Sequence, residues 1–180
     1  MSKKRNKYGF KLIITGTSGV GKTSLLHRYC DNKFEINLKP SIGADFTLKV
    51  VDLKKSEVIF TIWDIGGHTN FDNLRNYYYN GSDAGIIVFD VTKMDSVEAI
   101  RNKWLEEMRA VGNIPIIILG NKVDIENERM ISSSDIKKLS EEFGLHIFET
   151  SAKSGENVKK AFETIAKMCM GNDIESIISN

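Results

Sequence analysis

Apolar residues run almost unbroken through six short stretches of the chain and recur at helical spacing between them. The runs predict strands near 10–15, 46–53, 57–63, 84–90, 114–120 and 146–150. The intervening segments predict helices over 22–31, 70–79, 96–110, 133–143 and 156–170. In the third of these, Ile100, Trp104, Leu105 and Met108 fall on one helical face, where a core role is expected. Strands that are apolar on both faces and alternate with helices belong to a mostly parallel sheet covered on each side. The segments 46–53 and 57–63 are joined only by a turn at Lys54-Lys55-Ser56, so they predict a hairpin and one antiparallel edge strand. The expected fold class is α/β, with six strands and helices on both faces.

Composition narrows the picture without changing it. The 180 residues, 41% of them hydrophobic, suit one domain that buries a two-layered core. With 25 basic and 24 acidic side chains the formal net charge is +1, so no RNA or DNA partner is expected. Residues 1–7, carrying Lys3, Lys4, Arg5 and Lys7, are predicted to be a disordered basic start; 8–170 form the domain and 171–180 a tail. Cys30 and Cys169 fall in predicted helices and show neither metal spacing nor a disulfide framework, which fits a reducing interior. No membrane-spanning run or signal-peptide pattern is present, and a cytoplasmic monomer is expected.

Candidate chemistry begins where the first strand ends. Gly16-Thr17-Ser18-Gly19-Val20-Gly21-Lys22-Thr23 is a G-x-x-x-x-G-K-[ST] loop in a strand-loop-helix setting, and Ser24 follows it. Its glycines let successive N–H groups turn onto phosphate oxygens, Lys22 reaches the β- and γ-phosphates, and Thr23 offers a hydroxyl to Mg²⁺. Asn121-Lys122-Val123-Asp124 follows the 114–120 strand. The Asp124 carboxylate can accept from the ring N–H and exocyclic amine of guanine, a donor pair that adenine lacks. Ser151, Ala152 and Lys153 form a third loop whose backbone can meet the guanine carbonyl. Asp64, at the end of the 57–63 strand, can hold Mg²⁺ through water, and in Asp64-Ile65-Gly66-Gly67 the last glycine lets an N–H approach the γ-phosphate. Ser41 stands between the phosphate loop and Asp64, where its hydroxyl could complete the Mg²⁺ shell.

These five loops, in this order from Lys11 to about Met170, resemble a small GTPase of the Ras superfamily. Ile42-Gly43-Ala44-Asp45-Phe46, Ile62-Trp63-Asp64, Arg75-Asn76-Tyr77-Tyr78-Tyr79 and the strand from Gly85 to Thr92 are most similar to the Rab branch. Asp64-Ile65-Gly66-Gly67 is more like the Arf branch. The resemblance implies a P-loop NTPase fold of the small G domain type, with GTP or GDP and Mg²⁺ as ligands. It implies that Phe34 stacks on the guanine, with the stem of Lys122 on the other face; a core role for Phe34 stays open. It further implies effectors bound through the two switch regions, with Phe46, Trp63 and Tyr78 as contacts, although packing between the switches would explain the same residues. An exchange factor and an activating protein are the other implied partners.

Two positions depart from the family pattern. Ser41 stands where most members have Thr, and His68 where a glutamine orients the attacking water. Imidazole offers one donor and one acceptor in a different geometry from a carboxamide, so slow unaided hydrolysis is expected. Translational GTPases use His at the equivalent place with an activating partner. Catalysis would then rest on Lys22, Gly67 and His68. The alternative is a hydrolysis-impaired module that stays locked on GTP. An ATPase or small-molecule kinase is disfavoured by Asn121 to Asp124. The chain closes on Ile177-Ile178-Ser179-Asn180 without a prenylatable cysteine, so peripheral membrane association stays open.

Overall fold

A computed structural model describes residues 5–35, 43–54, 56–67 and 72–171. Ser41, His68 and the tail from residue 172 lie outside the described residues. Six strands form one sheet in the order β2-β3-β1-β4-β5-β6. They are β1 (Asn6–Thr15), β2 (Ala44–Leu53), β3 (Ser56–Ile65), β4 (Ala84–Asp90), β5 (Ile116–Asn121) and β6 (Ile147–Thr150). Only the edge strand β2 runs antiparallel, pairing Phe46 with Trp63 and Val51 with Val58 across the predicted hairpin. The other neighbours are parallel.

The apolar runs are explained by covering on both faces. All seven residues of β4 and all six of β5 are buried. Alternate side chains enter two separate clusters: Leu12, Ile14, Ile86, Val88, Ile117 and Leu119 on one face, Ile13, Ile87, Phe89 and Ile118 on the other. The first face is covered by α1 (Lys22–Asp31) and a C-terminal helix (Val158–Cys169) carrying Phe162 and Ile165. On the second face lie α2 (Asp72–Tyr79), α3 (residues 94–109) and α4 (Ser133–Phe143). We number the C-terminal helix α5. Ser132 and Asp135 close a capping box at the start of α4, and Gly144 ends it in the left-handed region.

Helix α3 is continuous but not regular. It runs through Met94–Ala99, a π-helical turn at Ile100–Trp104, and Leu105–Arg109. Ile100, Trp104, Leu105 and Met108 are all buried, as the spacing predicts.

The N-terminal boundary differs from expectation. Strand β1 begins at Asn6, so Lys7 belongs to the sheet rather than to a disordered start, and residues 6–9 pair with 56–59. Lys7 Nζ sits 3.1 Å from Glu57 Oε2, and Arg5 pairs with Asp52. Lys7 and Glu57 stand directly opposite each other on β1 and β3, and this opposite-charge pair supports the polar extension of the strand. Cys30 and Cys169 are free and half-buried, and burial pushes both thiols up, Cys169 to about 12. Among the described residues, no helix is long and apolar enough to cross a membrane.

Candidate functional site

The sheet order reverses beside β1, and the loops leaving the carboxyl ends of β1, β3, β5 and β6 meet there, where open α/β sheets bind ligands. A cavity of about 330 Å³ occupies this corner. Ser18, Gly19, Gly21, Lys22, Thr23 and Ser24 line one end of it, Asn121, Lys122, Asp124, Ala152 and Lys153 the other, with Phe34 and Gly67 at the sides. The four predicted loops that fall within the described residues therefore converge on one space.

At the first end, Gly21 caps α1 with φ +97, and a Cβ there would stand 2.4 Å from Asn121 Nδ2. Only glycine meets both conditions. No side chain caps α1, so the first amides of this ten-residue helix face the cavity end with the positive end of the helix dipole. Val20 is 1% exposed and packs in the core, so only its backbone serves the site. Lys22 is 6% exposed, and its Nζ donates to Gly16 O at 2.9 Å and Thr17 O at 3.3 Å. Burial pushes the Lys22 ammonium down to about 8, although Asp64 works in the opposite direction.

The Thr23 hydroxyl donates to the Asp64 carboxylate, joining the start of α1 to the end of β3. Two hard oxygen donors in contact, one of them a carboxylate only 4% exposed, fit a Mg²⁺ ion that completes its shell with water and phosphate oxygen. Gly67 lies against the phosphate loop: a Cβ on it would come within 2.4 Å of Gly16 O and Ser18 N. Only glycine allows this backbone to lie so close to the loop.

The second end is held by hydrogen bonds to the fold. Asn121, 1% exposed, donates from Nδ2 to Val20 O at 2.9 Å and accepts at Oδ1 from Ala152 N at 3.2 Å. Lys122 takes φ +71, and its Nζ lies 2.6 Å from Asp90 Oδ2 while its stem lines the cavity. Ser151 Oγ donates to Asp124 Oδ1 at 2.6 Å, which sets the carboxylate that would read the base. Phe34 both lines the cavity and packs against the core, so its two readings are compatible.

Sequence reasoning missed the supporting residues. Asp90 is fully buried at the end of an apolar strand, and a carboxylate in that place is a signal that could have been read. Trp104 Nε1 donates to Thr17 Oγ1 at 3.2 Å, and the Arg75 guanidinium lies over the Trp104 ring while its Nε sits 3.2 Å from Glu107. Arg28 donates to Ala152 O and Lys153 O. Nothing in the local pattern marks these contacts.

Comparison with known proteins agrees with the geometry. The profile of the Ras family matches residues 11–171. The chain is 37% identical over 166 residues to the Ras-related protein Rab-1 of Theileria parva, covering 91% of this chain and 76% of that protein. It is 39% identical over 183 residues to the Ras-related protein Rab7 of Prunus armeniaca, covering 97% and 88%. The Ras-related protein RABA5e of Arabidopsis thaliana is 37% identical over 163 residues, covering 89% and 74%. A glycine-rich loop and the Asn121–Asp124 segment face one cavity, and the family match over residues 11–171 places the chain in the Ras family of small GTPases, and within that family it is of Rab type.

Proposed function

We propose that this chain is a Mg²⁺-dependent molecular switch that hydrolyses GTP to GDP and phosphate and recruits effectors in its GTP state, in trafficking or signalling. The observation that carries this reading is the single cavity that faces Lys22 and Thr23 with one end and Asn121 and Asp124 with the other. Hydrolysis breaks the bond between the γ-phosphorus and its bridging oxygen as water attacks. Lys22 neutralises the phosphate charge, the amides of 18–24 orient the phosphates, and the Gly67 N–H fixes the γ-phosphate. Thr23, Asp64 and Ser41 would hold Mg²⁺, which would supply further charge neutralisation. His68 orients the attacking water, less well than glutamine does, so turnover is slow until an activating protein assists. In this reading the Arf-like glycine pair at 66–67 serves the close backbone approach.

An effector would read the switch surface. Phe46 is 59% exposed on β2. Trp63 lies 5.5 Å from it, ring to ring, and Tyr78 on α2 lies 5.7 Å beyond. This aromatic row crosses from Phe46, at the end of the first switch segment 33–46, to α2 within the second, 65–79, which supports a surface able to sense both. An exchange factor would speed GDP release, and the chain acts as a monomer, cytoplasmic and peripheral at membranes.

The test is single-turnover hydrolysis of preloaded GTP with Mg²⁺, comparing the parent with His68→Gln and His68→Ala. A slow parent, a slower His68→Ala protein and a faster His68→Gln protein are expected. Three equally inert proteins would overturn the hydrolytic reading in favour of a GTP-locked binding module.

A further inference from the structure

Arg28 lies on the last turn of α1, half-buried, and spends its guanidinium on backbone carbonyls rather than on a carboxylate. Its Nε donates to Ala152 O at 2.7 Å and Nη2 to Lys153 O at 2.6 Å. Nη1 turns back on the α1 C-cap, donating to Asn32 O at 3.2 Å and Asn32 Oδ1 at 3.0 Å. One rigid, planar group thus ties the loop after β6 to the residue that ends α1, two positions before Phe34.

The peptide geometry turns this grip into an orientation. In a trans peptide the C=O and the following N–H point in opposite directions. Drawing Ala152 O toward α1 therefore turns the Lys153 N–H away from α1, and Lys153 lines the cavity. Drawing Lys153 O the same way turns the Ser154 N–H back into the loop, where it donates to Ser151 Oγ at 3.0 Å. That hydroxyl in turn donates to Asp124 Oδ1. Gly155, at φ +87, packs on the Arg28 stem, since a Cβ there would meet Arg28 Cδ at 3.5 Å.

We propose that Arg28 is a positioning residue for guanine recognition: it aims the Lys153 amide at the base carbonyl, sets the Asp124 carboxylate through Ser151, and anchors the Phe34 side through Asn32. The proposal rests on the reading of the cavity as a guanine-nucleotide site. Arg28 touches no reacting atom, and its effect is on how long a nucleotide stays and how strictly its carbonyl is read.

The test measures release of GDP and of 6-thio-GDP, in which a weak sulfur acceptor replaces the carbonyl oxygen, from the parent, Arg28→Ala and Arg28→Lys, with the thermal midpoint of each. The parent should hold GDP longer than 6-thio-GDP. Arg28→Ala should release GDP roughly 10- to 100-fold faster, the scale of lost charge-assisted hydrogen bonds, and bring the two release rates together. Arg28→Lys, with a point charge in place of the fork, should fall between and carries the test if the alanine variant does not fold. GDP release changed by less than about threefold, or both nucleotides accelerated equally with their ratio kept, would overturn the proposal. A parent that does not distinguish sulfur from oxygen would overturn it equally. A parent that binds no GDP at all removes the guanine reading itself and is recognised by that result.

Discussion

The two ends of the nucleotide cavity are built on different principles. At the base end the polar side chains are bonded to the fold: Asn121 to Val20 and Ala152, Lys122 to Asp90, Asp124 to Ser151. At the phosphate end the ionic and hydroxyl groups are bonded to one another and to their own loop: Lys22 to the carbonyls of Gly16 and Thr17, Thr23 to Asp64. The base end is set in advance, so it can discriminate. On the proposed function, the phosphate end would exchange partners as phosphate and metal arrive, which is what a switch requires.

The largest effect that would sharpen this contrast is at Asp124. Its carboxylate faces the cavity from an exposed position, and its tie to the fold is the bond from the buried Ser151 hydroxyl. Asp124→Ala should weaken GDP binding by roughly 100- to 1000-fold, leave weak ADP binding unchanged and cost about 1 kcal/mol of stability through the lost Ser151 bond. Titration calorimetry with both nucleotides, alongside denaturant melts, checks all three.

A smaller effect is expected where the base end is tied to the core. Asn121→Ala leaves Val20 O and the Ala152 N–H without their partner and should cost about 2–3 kcal/mol of folding stability. Thr23→Ala at the other end should cost under about 1 kcal/mol while weakening Mg²⁺ retention. Equal losses in urea melts of the two nucleotide-free variants would break the comparison.

The smallest effect has the opposite sign. Lys22 loses its proton near pH 8 in the fold but near 10.5 once exposed, because burial disfavours its charge. Between those values the unfolded chain binds more protons, so stability of the nucleotide-free protein should rise as pH is raised from about 8 to about 10. Lys22→Met should remove that rise and stabilise the nucleotide-free fold at pH 7 by about 1 kcal/mol, while abolishing tight GTP binding. A pH series of melts on parent and variant reads the sign directly.

Much of this was legible in the chain because it depends on local runs. The β4 and β5 strands declare themselves by unbroken apolar sequence, and the phosphate loop by glycines that no side chain can replace. Asn6 to Gly9 could not be read as strand, since their pairing with 56–59 is supplied by a partner fifty residues away. The π-helical turn of α3 is likewise absent from the periodicity. Arg28 and Asp90 look like an ordinary helix-surface cation and a strand-end acid until the fold brings Ala152 and Lys122 against them. Sequence shows the groups that would touch a ligand, whereas their supports emerge only from contacts between distant segments.

The Asn121 clamp has a consequence for how the protein is made. Its two bonds join Val20, 101 positions earlier, to Ala152, 31 positions later. A chain emerging from the ribosome can form the phosphate loop early, yet it has no base pocket until the β6 loop has appeared. Guanine recognition is therefore among the last features to be completed during synthesis, and nucleotide capture reports that the C-terminal third of the domain has docked.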